Sequence, residues 1–321
     1  MELAGALSAA LARALEGVSR AELARHAQAT SLAYRAGGGS APVIRDAASA
    51  LAYAVVRMPA TYAACRRVMA ELARTAPDFA TTSLLDAGAG PGTASWAAVE
   101  AFASLAEVTW LDANVPLLDL ASRLAGGGPT ALAAAQVLRG DLVRIDLPRA
   151  DLVVASYALA EVVPAAQAGV VRKLWDASTG VLALIEPGTT AGYARLMLAR
   201  SSLIAEGGVL LAPCPHAEAC PLAPPDWCHF SVRLPRSRDH RIAKAADAPF
   251  EDEKFAYLLV ARPHVVAAPV SARVLARPRM GKAGIELKLC GSVGLEQRVV
   301  GRREKPAFAK VRRLDWGDGY A

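Results

Sequence analysis

The sequence predicts an α/β fold: a parallel sheet covered by helices on both faces, preceded by helices and followed by a basic β extension. From residue 81 onward, short apolar runs ending in Asp, Gly, Ser or Pro alternate with helical stretches. That alternation is typical of repeated βαβ units. Before residue 81, apolar residues recur at helical spacing, and after residue 262 strand-like pieces lie among many basic residues. The predicted division is therefore residues 1–80, an N-terminal helical region; 81–262, a core that contains the cysteine segment 213–244; and 263–321, a C-terminal extension that supplies Cys290.

The elements follow in order along the chain. The helical region should break at the AGGGSAP turn (36–42) and at Met58-Pro59. Five core strands are expected in TTSLLDAGAGPG, AEVTWLDAN, VLRGDL, ADLVVASYAL and GVLALIEPG, and then a helix over roughly 189–206. CHFSVRL and FAYLLVAR are further strand candidates, and IELKLCGSV and QRVVGR are strand-like pieces of the extension.

The composition limits the class of protein. With 54% hydrophobic and 21% charged residues among 321, the chain is globular and long enough for a large core. No run of eighteen apolar residues occurs, so no membrane span is expected. The N-terminus lacks the apolar region of a signal peptide, and Glu2, Glu16 and Glu22 argue against a mitochondrial presequence. We predict a cytoplasmic protein, in which clustered cysteines indicate a metal site before disulfides.

A glycine loop follows the first strand. Asp86, Gly88, Gly90 and Gly92 lie directly after the apolar run and open a helix. Alternate glycines let the backbone turn sharply and approach a ligand, and the helix N-terminus offers unpaired N–H groups. The spacing is G-x-G-x-G, which differs from the dinucleotide fingerprint.

Two acids follow the next two strands. Asp112 ends the second strand, where it can accept hydrogen bonds from ribose hydroxyls, and Asp141 follows the third, where an adenine edge would lie. The alternative is that both acids cap helices. Together with the loop, this pattern resembles class I S-adenosylmethionine-dependent methyltransferases, which implies a Rossmann-like core. The resemblance implies that Asp86 and the glycines hold the methionine part of the cofactor and that Asp112 binds its ribose.

Three of the five cysteines fall in the stretch CPHAEACPLAPPDWCHF. Cys214, Cys220 and Cys228 are spaced C-x5-C-x7-C, unlike the paired C-x2-C of zinc ribbons or the ferredoxin run. His216 and His229 leave a Cys3His zinc site open, and three structural thiols in a loop are a further alternative. Cys65, in the helical region, is interpreted as a buried small apolar residue.

The residues around the cysteines identify a family more specifically than the spacing of the cysteines does. CPHAEACPLAPPDWCHFSVRLPRSRDHRIAK, with RMPATYAA, DAGAGPGTASWAA and the ending KVRRLDWGD, resembles the methyltransferase-like family of small-ribosomal-subunit assembly factors. The resemblance implies a [4Fe–4S] cluster bound by Cys214, Cys220, Cys228 and Cys290, with zinc as the alternative. The fourth ligand would come from the C-terminal extension, which the cluster would then hold against the core.

Basic residues form two groups. Between Arg273 and Arg313 there are twelve Lys or Arg and three Glu, in a chain of net charge +6. A solvated basic face accounts for most such runs, but two groups joined through one cysteine site favour a surface that contacts RNA phosphates. The residues predicted to bind small-subunit rRNA are Arg233, Arg236, Arg238, Arg241, Lys244, Arg302, Arg303, Lys310, Arg312 and Arg313.

Catalytic residues cannot be assigned from the sequence. The family resemblance places an Asn/Asp-Pro-Pro-aromatic motif after the fourth strand, where this chain has Ala155-Ser156-Tyr157-Ala158. Tyr157, Glu161 and Glu186-Pro187 are expected to line the mouth of the pocket. We therefore expect a ribosomal small-subunit assembly factor that binds rRNA, is monomeric off the ribosome and leaves methylation of rRNA open. The alternative is a zinc-stabilised methyltransferase acting on a small molecule or protein.

Overall fold

The computed structural model describes residues 3–35, 42–244 and 247–320. The predicted turn at 36–42 falls almost entirely on residues outside these ranges. The helices are α1 (Gly5–Ala14), α2 (Arg20–Arg35), α3 (Ala47–Thr75), α4 (Thr93–Ala101), α5 (Val115–Ala125), α6 (Thr130–Ala133), α7 (Pro164–Ala177), α8 (Thr190–Ala205), α9 (Arg238–Lys244) and α10 (Lys305–Val311).

The strands form two sheets. The strands of the larger sheet are β1 (Ser83–Ala87), β2 (Glu107–Asp112), β3 (Gln136–Arg139), β4 (Ala150–Ser156), β5 (Ser178–Pro187), β6 (Val209–Ala212), β7 (Phe230–Pro235) and β8 (Phe250–Ala261). The strands of the smaller sheet are β9 (Ala272–Val274), β10 (Arg279–Met280), β11 (Gly284–Gly291), β12 (Gly294–Gly301) and β13 (Gly319–Tyr320).

The larger sheet has the order β3-β2-β1-β4-β5-β8-β6, and β7 pairs with the first half of β8. Strands β1 to β5 are parallel, as the βαβ pattern predicts. Strand β8 is antiparallel to β5, β6 and β7, so the sheet is mixed rather than purely parallel. It also begins five residues before the predicted FAYLLVAR run, because residues 250–254 alternate in exposure where they pair with β7.

Helix α3 corrects one sequence prediction. It begins at a capping box, in which the Asp46 carboxylate accepts the Ser49 N–H at 2.8 Å, and it continues through Pro59 to Thr75. A proline inside a helix removes one backbone hydrogen bond, which is why a break was expected. The neighbours Met58 and Ala60 are both fully buried, so packing holds the helix together across the proline. The predicted break at Met58-Pro59 is therefore wrong.

Two apolar layers cover the larger sheet. One layer joins the N-terminal helices, α4 and α5 to one face, with Trp96 and Trp110 buried in it. The other packs α7 and α8 on the opposite face around Trp175. The expected covering of both faces is thus confirmed. Because β1, β2 and β4 are parallel, their carboxyl ends lie at the same edge of the sheet.

The smaller sheet has a core of its own. Strand β11 pairs with β9, β10 and β12, and β13 pairs with β9. Buried side chains from β9, β11 and β12 pack beneath α10. No helix of the described residues is both long and apolar enough to cross a membrane.

Candidate functional site

The glycine loop connects the carboxyl end of β1 to α4. Gly88, Gly90 and Gly92 have φ of +79°, +53° and +74°, a region that L side chains rarely adopt. A Cβ on Gly88 would lie 2.6 Å from the Cβ of Ala158, and one on Gly92 would lie 3.3 Å from the Trp110 indole. A Cβ on Gly90 would meet nothing closer than 3.9 Å. Gly88 and Gly92 therefore permit close packing, whereas Gly90 leaves the loop backbone open to the adjacent cavity.

Asp86 lies beneath this loop and is only 1% exposed. Its Oδ2 accepts the Ser95 N–H at 3.1 Å and the Ser95 hydroxyl at 2.7 Å, and that hydroxyl accepts the Trp110 indole N–H at 3.0 Å. Burial raises the pKa of Asp86 to about 6. These contacts fix the first turn of α4 against β1, and the predicted contact of Asp86 with a cofactor stays a prediction.

A cavity of about 1200 Å³ opens beside the loop. It is lined by Gly88, Gly90, Asp112 and Asp141, four of the six residues predicted to hold a cofactor. Asp112 accepts the Gly90 N–H through Oδ2 and the Asn114 N–H through Oδ1, both at 2.7 Å, and burial raises its pKa. Its carboxylate is thus held at the end of β2, facing the loop.

Asp141 lies at the exposed rim of the same cavity. Its Oδ1 accepts the Val143 N–H at 2.9 Å, so it stabilises its own turn while still lining the cavity.

The chain after β4 occupies the far side of the cavity. Tyr157 has φ of +59°, and its hydroxyl donates to Glu253 Oε1 at 2.8 Å, while Arg57 Nη2 lies 3.4 Å from the same oxygen. Burial raises the pKa of Tyr157 well above its usual value, so the phenol stays protonated. Backbone strain in a non-glycine residue costs on the order of 1–3 kcal/mol and concentrates at ligand sites.

The predicted mouth residues divide into two groups. Tyr157, Glu161 and Pro187 line the cavity. Glu186 is buried instead, and its Oε2 accepts a hydrogen bond from Arg195 Nε at 2.5 Å. Burial raises the pKa of Glu186, and the charge of Arg195 lowers it by a smaller amount.

The cysteines meet at a second cavity, of about 40 Å³. Cys214, Cys220 and Cys228, from the segment between β6 and β7, line it together with Cys290 from β11 of the smaller sheet. A water molecule needs only about 10–15 Å³ on this measure, so the cavity has room for more than one small ion. Cys65 is fully buried in α3 with its Sγ 3.2 Å from the Ser156 hydroxyl, which confirms its interpretation as a buried residue.

The two nearby histidines differ in their surroundings. His216 Nε2 lies 3.8 Å from the Cys290 Sγ. His229 stacks on Trp227 at 4.8 Å between ring centroids, and its Nδ1 lies 3.1 Å from the Trp227 carbonyl oxygen. Of the two rings, His216 thus has a nitrogen near a cavity thiol, and His229 is held by Trp227.

Burial raises the pKa of Cys214, of Cys228 and, to about 11, of Cys290, and the neighbouring thiols raise the pKa of Cys228 and Cys290 further. With nothing bound among them, these three thiols are therefore held in the protonated, neutral form. Within the described ranges, no group of three or more His, Cys, Asp or Glu side chains is placed to hold a metal ion.

The first group of basic residues is largely paired with acids. Arg233 makes two contacts of 2.7 Å with Asp252. Arg236 and Lys244 both bind Glu251 Oε2, at 3.0 and 2.7 Å, so one partly buried carboxylate offsets two predicted RNA-binding cations. Arg238 and Arg241 are exposed on α9.

The C-terminal group is more accessible. Lys310 is exposed, and so are four arginines that flank α10 and form no ion pair within the part of the chain that the structure describes. We call these four the tail arginines: Arg302, Arg303, Arg312 and Arg313.

Sequence reasoning missed two residues of the cysteine cavity, Arg200 and Arg273. Both line it and are almost completely buried. Arg200 shares α8 with Arg195 and two serines, so no local pattern singles it out, and in the sequence Arg273 is one of the twelve basic residues between 273 and 313.

The strand order, the single antiparallel strand between β5 and β6, and the glycine loop at the end of β1 define a protein with the S-adenosylmethionine-dependent methyltransferase-like fold. Within that class, the chain belongs to the family described as mitochondrial small ribosomal subunit Rsm22, whose profile matches residues 47–321. It is 30% identical over 291 residues to the human protein named "Ribosome assembly protein METTL17, mitochondrial". That match covers 84% of this chain and 61% of the human protein, so the chain spans about three-fifths of that relative.

Solved methyltransferase structures are more distant. The magnesium protoporphyrin IX methyltransferase of Synechocystis with bound S-adenosylmethionine is 16% identical, with a TM-score of 0.41 over 63% of this chain and 80% of that one. The precorrin-6y C5,15-methyltransferase of Geobacter metallireducens is 15% identical, with a TM-score of 0.41 over 61% of this chain and 85% of that one.

Proposed function

We propose that this protein is an assembly factor of the small ribosomal subunit that binds small-subunit rRNA, a [4Fe–4S] cluster and S-adenosylmethionine. The observation that carries the proposal is the convergence of Cys214, Cys220, Cys228 and Cys290 on one cavity in a chain of the Rsm22 family. The name of the human relative, a ribosome assembly protein, supports the assembly role. A cytoplasmic location and a monomeric state off the ribosome stay predictions, since the human relative is named as mitochondrial.

We prefer a cluster to zinc because the residues around the cysteines resemble those of the assembly-factor family. A single zinc ion draws its sulfur ligands to about 2.3 Å from one point, whereas each of the four cysteines of a [4Fe–4S] cluster binds a different iron. Analysis of the purified protein for zinc, iron and acid-labile sulfide distinguishes the two groups.

The cluster would join two parts of the chain. Three of its proposed ligands precede β7 of the larger sheet, and Cys290 lies in β11 of the smaller one. When bound, the group supplies covalent links between these parts, and ligand binding of this kind contributes directly to folding.

Support for S-adenosylmethionine comes from the larger cavity. Gly90 gives it an open backbone edge, and Asp112 lies where it can accept ribose hydroxyls. The far side holds Tyr157, Arg57 and Glu161 in place of a motif for amine methylation. Methyl transfer relies chiefly on positioning the acceptor against the sulfonium, so the cavity is compatible with binding alone or with catalysis.

Contact with rRNA is proposed chiefly for the tail arginines. They are exposed, whereas Arg233, Arg236 and Lys244 already bind carboxylates that a phosphate would have to displace. Phosphate contacts of this kind give affinity without sequence preference.

The proposal is tested by Cys290→Ser beside the matched control Cys65→Ser, with both proteins purified without oxygen. A serine at 65 keeps a hydroxyl next to Ser156, so that control should retain iron and acid-labile sulfide. The variant at 290 should lose much of both and should bind small-subunit rRNA more weakly.

Stoichiometric zinc without iron in the parent protein, together with no binding to precursor small subunits, would favour the alternative of a zinc-stabilised methyltransferase acting on a small molecule or protein. Mass spectrometry of small-subunit rRNA from cells lacking the protein then decides whether methyl transfer accompanies assembly.

A further inference from the structure

Two arginines form part of the wall of the cysteine cavity. Arg200, on α8, is 4% exposed, and Arg273, on β9, is 1% exposed. A buried cation is costly unless an anion and hydrogen bonds offset the loss of water. The partners of each guanidinium therefore indicate what the cavity must contain.

Arg200 makes no ion pair within the described part of the chain. Its Nη2 donates to the carbonyl oxygens of His216 and Glu218 at 2.9 and 2.7 Å, which are neutral groups. Its Nε is buried and has no hydrogen-bond partner among the described residues. Arg200 and Cys214 line the same cavity.

Arg273 holds three parts of the chain together. Its Nε donates to the Pro213 carbonyl at 2.8 Å, and its Nη1 donates to Glu71 Oε1 at 2.5 Å and to the Gly317 carbonyl at 2.9 Å. Its Nη2 is buried, and no described residue accepts a hydrogen bond from it. Glu71 also binds Arg74, at 2.5 Å, so one carboxylate serves two guanidiniums.

Arg200 brings one positive charge to the wall of the cavity, and its hydrogen bonds go to neutral carbonyl groups. Arg273 is paired with Glu71, whose second partner, Arg74, is partly exposed and lies outside the wall. Four thiolates around a [4Fe–4S]2+ core would carry a net charge of −2, which the two arginines offset in part.

We propose that Arg200 and Arg273 are the counter-charges of the four-cysteine site, and that their unpaired N–H groups donate to cluster or ligand sulfurs and set the reduction potential. This inference rests on the proposed [4Fe–4S] cluster. The Tyr193 hydroxyl, which donates to the Cys220 Sγ at 3.2 Å, is a further donor at the same wall.

The sign of the effect follows from the electron count. One-electron reduction converts [4Fe–4S]2+ to [4Fe–4S]1+, breaks no bond and requires no proton, and it takes the site from −2 to −3. Adjacent positive charge and hydrogen bonds to sulfur favour the reduced form and raise the potential. Removal of either guanidinium charge should therefore lower it.

The experiment compares Arg200→Gln, Arg200→Lys and the control Arg279→Gln, which removes an exposed charge outside the cavity. Each full-length protein is purified without oxygen, assayed for iron and sulfide, and titrated with dithionite against an electrode. We expect Arg200→Gln to lower the equilibrium constant for reduction at least tenfold, which is about 59 mV for one electron. Arg200→Lys should recover much of that loss, and Arg279→Gln should match the parent.

A cluster in Arg200→Gln with the parent's potential would overturn the inference while leaving the proposed cluster intact. If Arg200→Gln folds but does not retain the cluster, Arg200→Lys decides: retention with lysine supports the counter-charge, and loss with lysine refutes it. Absence of iron and sulfide from the parent protein itself would refute the proposed cluster. Arg273→Lys provides a second, independent site at which the same direction of shift is expected.

Discussion

The glycines of the loop should differ in what an added methyl group costs. An L residue in the left-handed region loses about 1–2 kcal/mol relative to glycine. For Gly90→Ala that is the main cost, because the new Cβ meets nothing closer than 3.9 Å. For Gly88→Ala the Cβ would lie 2.6 Å from the Cβ of Ala158, which adds about 1–3 kcal/mol of overpacking. The expected losses are therefore about 1–2 kcal/mol at Gly90 and about 2–5 kcal/mol at Gly88.

Urea unfolding followed by tryptophan fluorescence measures both losses. Gly17→Ala is the matched control, since Gly17 has φ of +74° and a Cβ there would meet nothing within 4 Å. Its loss should equal that of Gly90→Ala. The double variant Gly88→Ala/Ala158→Gly should recover most of the overpacking cost, because it removes the methyl group that the new Cβ meets.

Ligand binding should follow a different order. Gly90→Ala places a methyl group on the cavity side of the loop and should weaken S-adenosylmethionine binding in calorimetry, whereas Gly17→Ala should not. Equal stability losses for Gly88→Ala and Gly90→Ala, or no recovery in the double variant, would show that the reasoning from these contacts is wrong.

Three further predictions concern charged groups. Asp112→Ala should weaken S-adenosylmethionine binding by about one to two orders of magnitude in calorimetry, since hydrogen bonds to a charged group contribute about 1.5–3 kcal/mol; unchanged affinity would exclude the ribose contact. Replacing the tail arginines with glutamine should reduce the salt dependence of RNA binding by about 0.7 in log–log slope per lost contact. Arg236→Gln should instead chiefly lower stability, because it removes a partner of the partly buried Glu251. Burial raises the pKa of Asp86 from 3.8 to about 6, so the folded state binds the proton more tightly and stability should rise as pH falls through 6 towards 3.8. Asp86→Asn should remove that dependence in unfolding measured across this pH range.

Much of the core could be predicted from the sequence because its signals are local. The apolar runs of the first five strands end in Asp, Gly, Ser or Pro, which disfavour strands. The alternate glycines of the loop by themselves indicate a tight turn followed by the start of a helix. Four of the six predicted cofactor residues meet at one cavity because the carboxyl ends of parallel strands share one edge.

The remainder depends on contacts between distant residues. Glu251 accepts Arg236 and Lys244 only because β7 and β8 pair in a register that brings the three together, so a count of basic residues overstated the accessible charge. Arg273 lies in the basic tail by sequence, yet it bonds Glu71, 202 residues earlier, in the interior. Pro59 lies within a helix because its neighbours are buried, which no local rule on proline predicts.

The placement of Cys290 on the smaller sheet has a consequence for the order of events during synthesis. Cys228 emerges from the ribosome sixty-two residues before Cys290, a delay of roughly 3–12 s at about 5–20 residues per second. During that interval the nascent chain presents three cysteines without their fourth neighbour and without the wall supplied by β9 and β11. Completion of the cavity is thus a late, non-local step of high contact order. Any group that requires all four thiols can be installed only after Cys290 has been translated, so its presence would distinguish chains that contain Cys290 from products truncated before it.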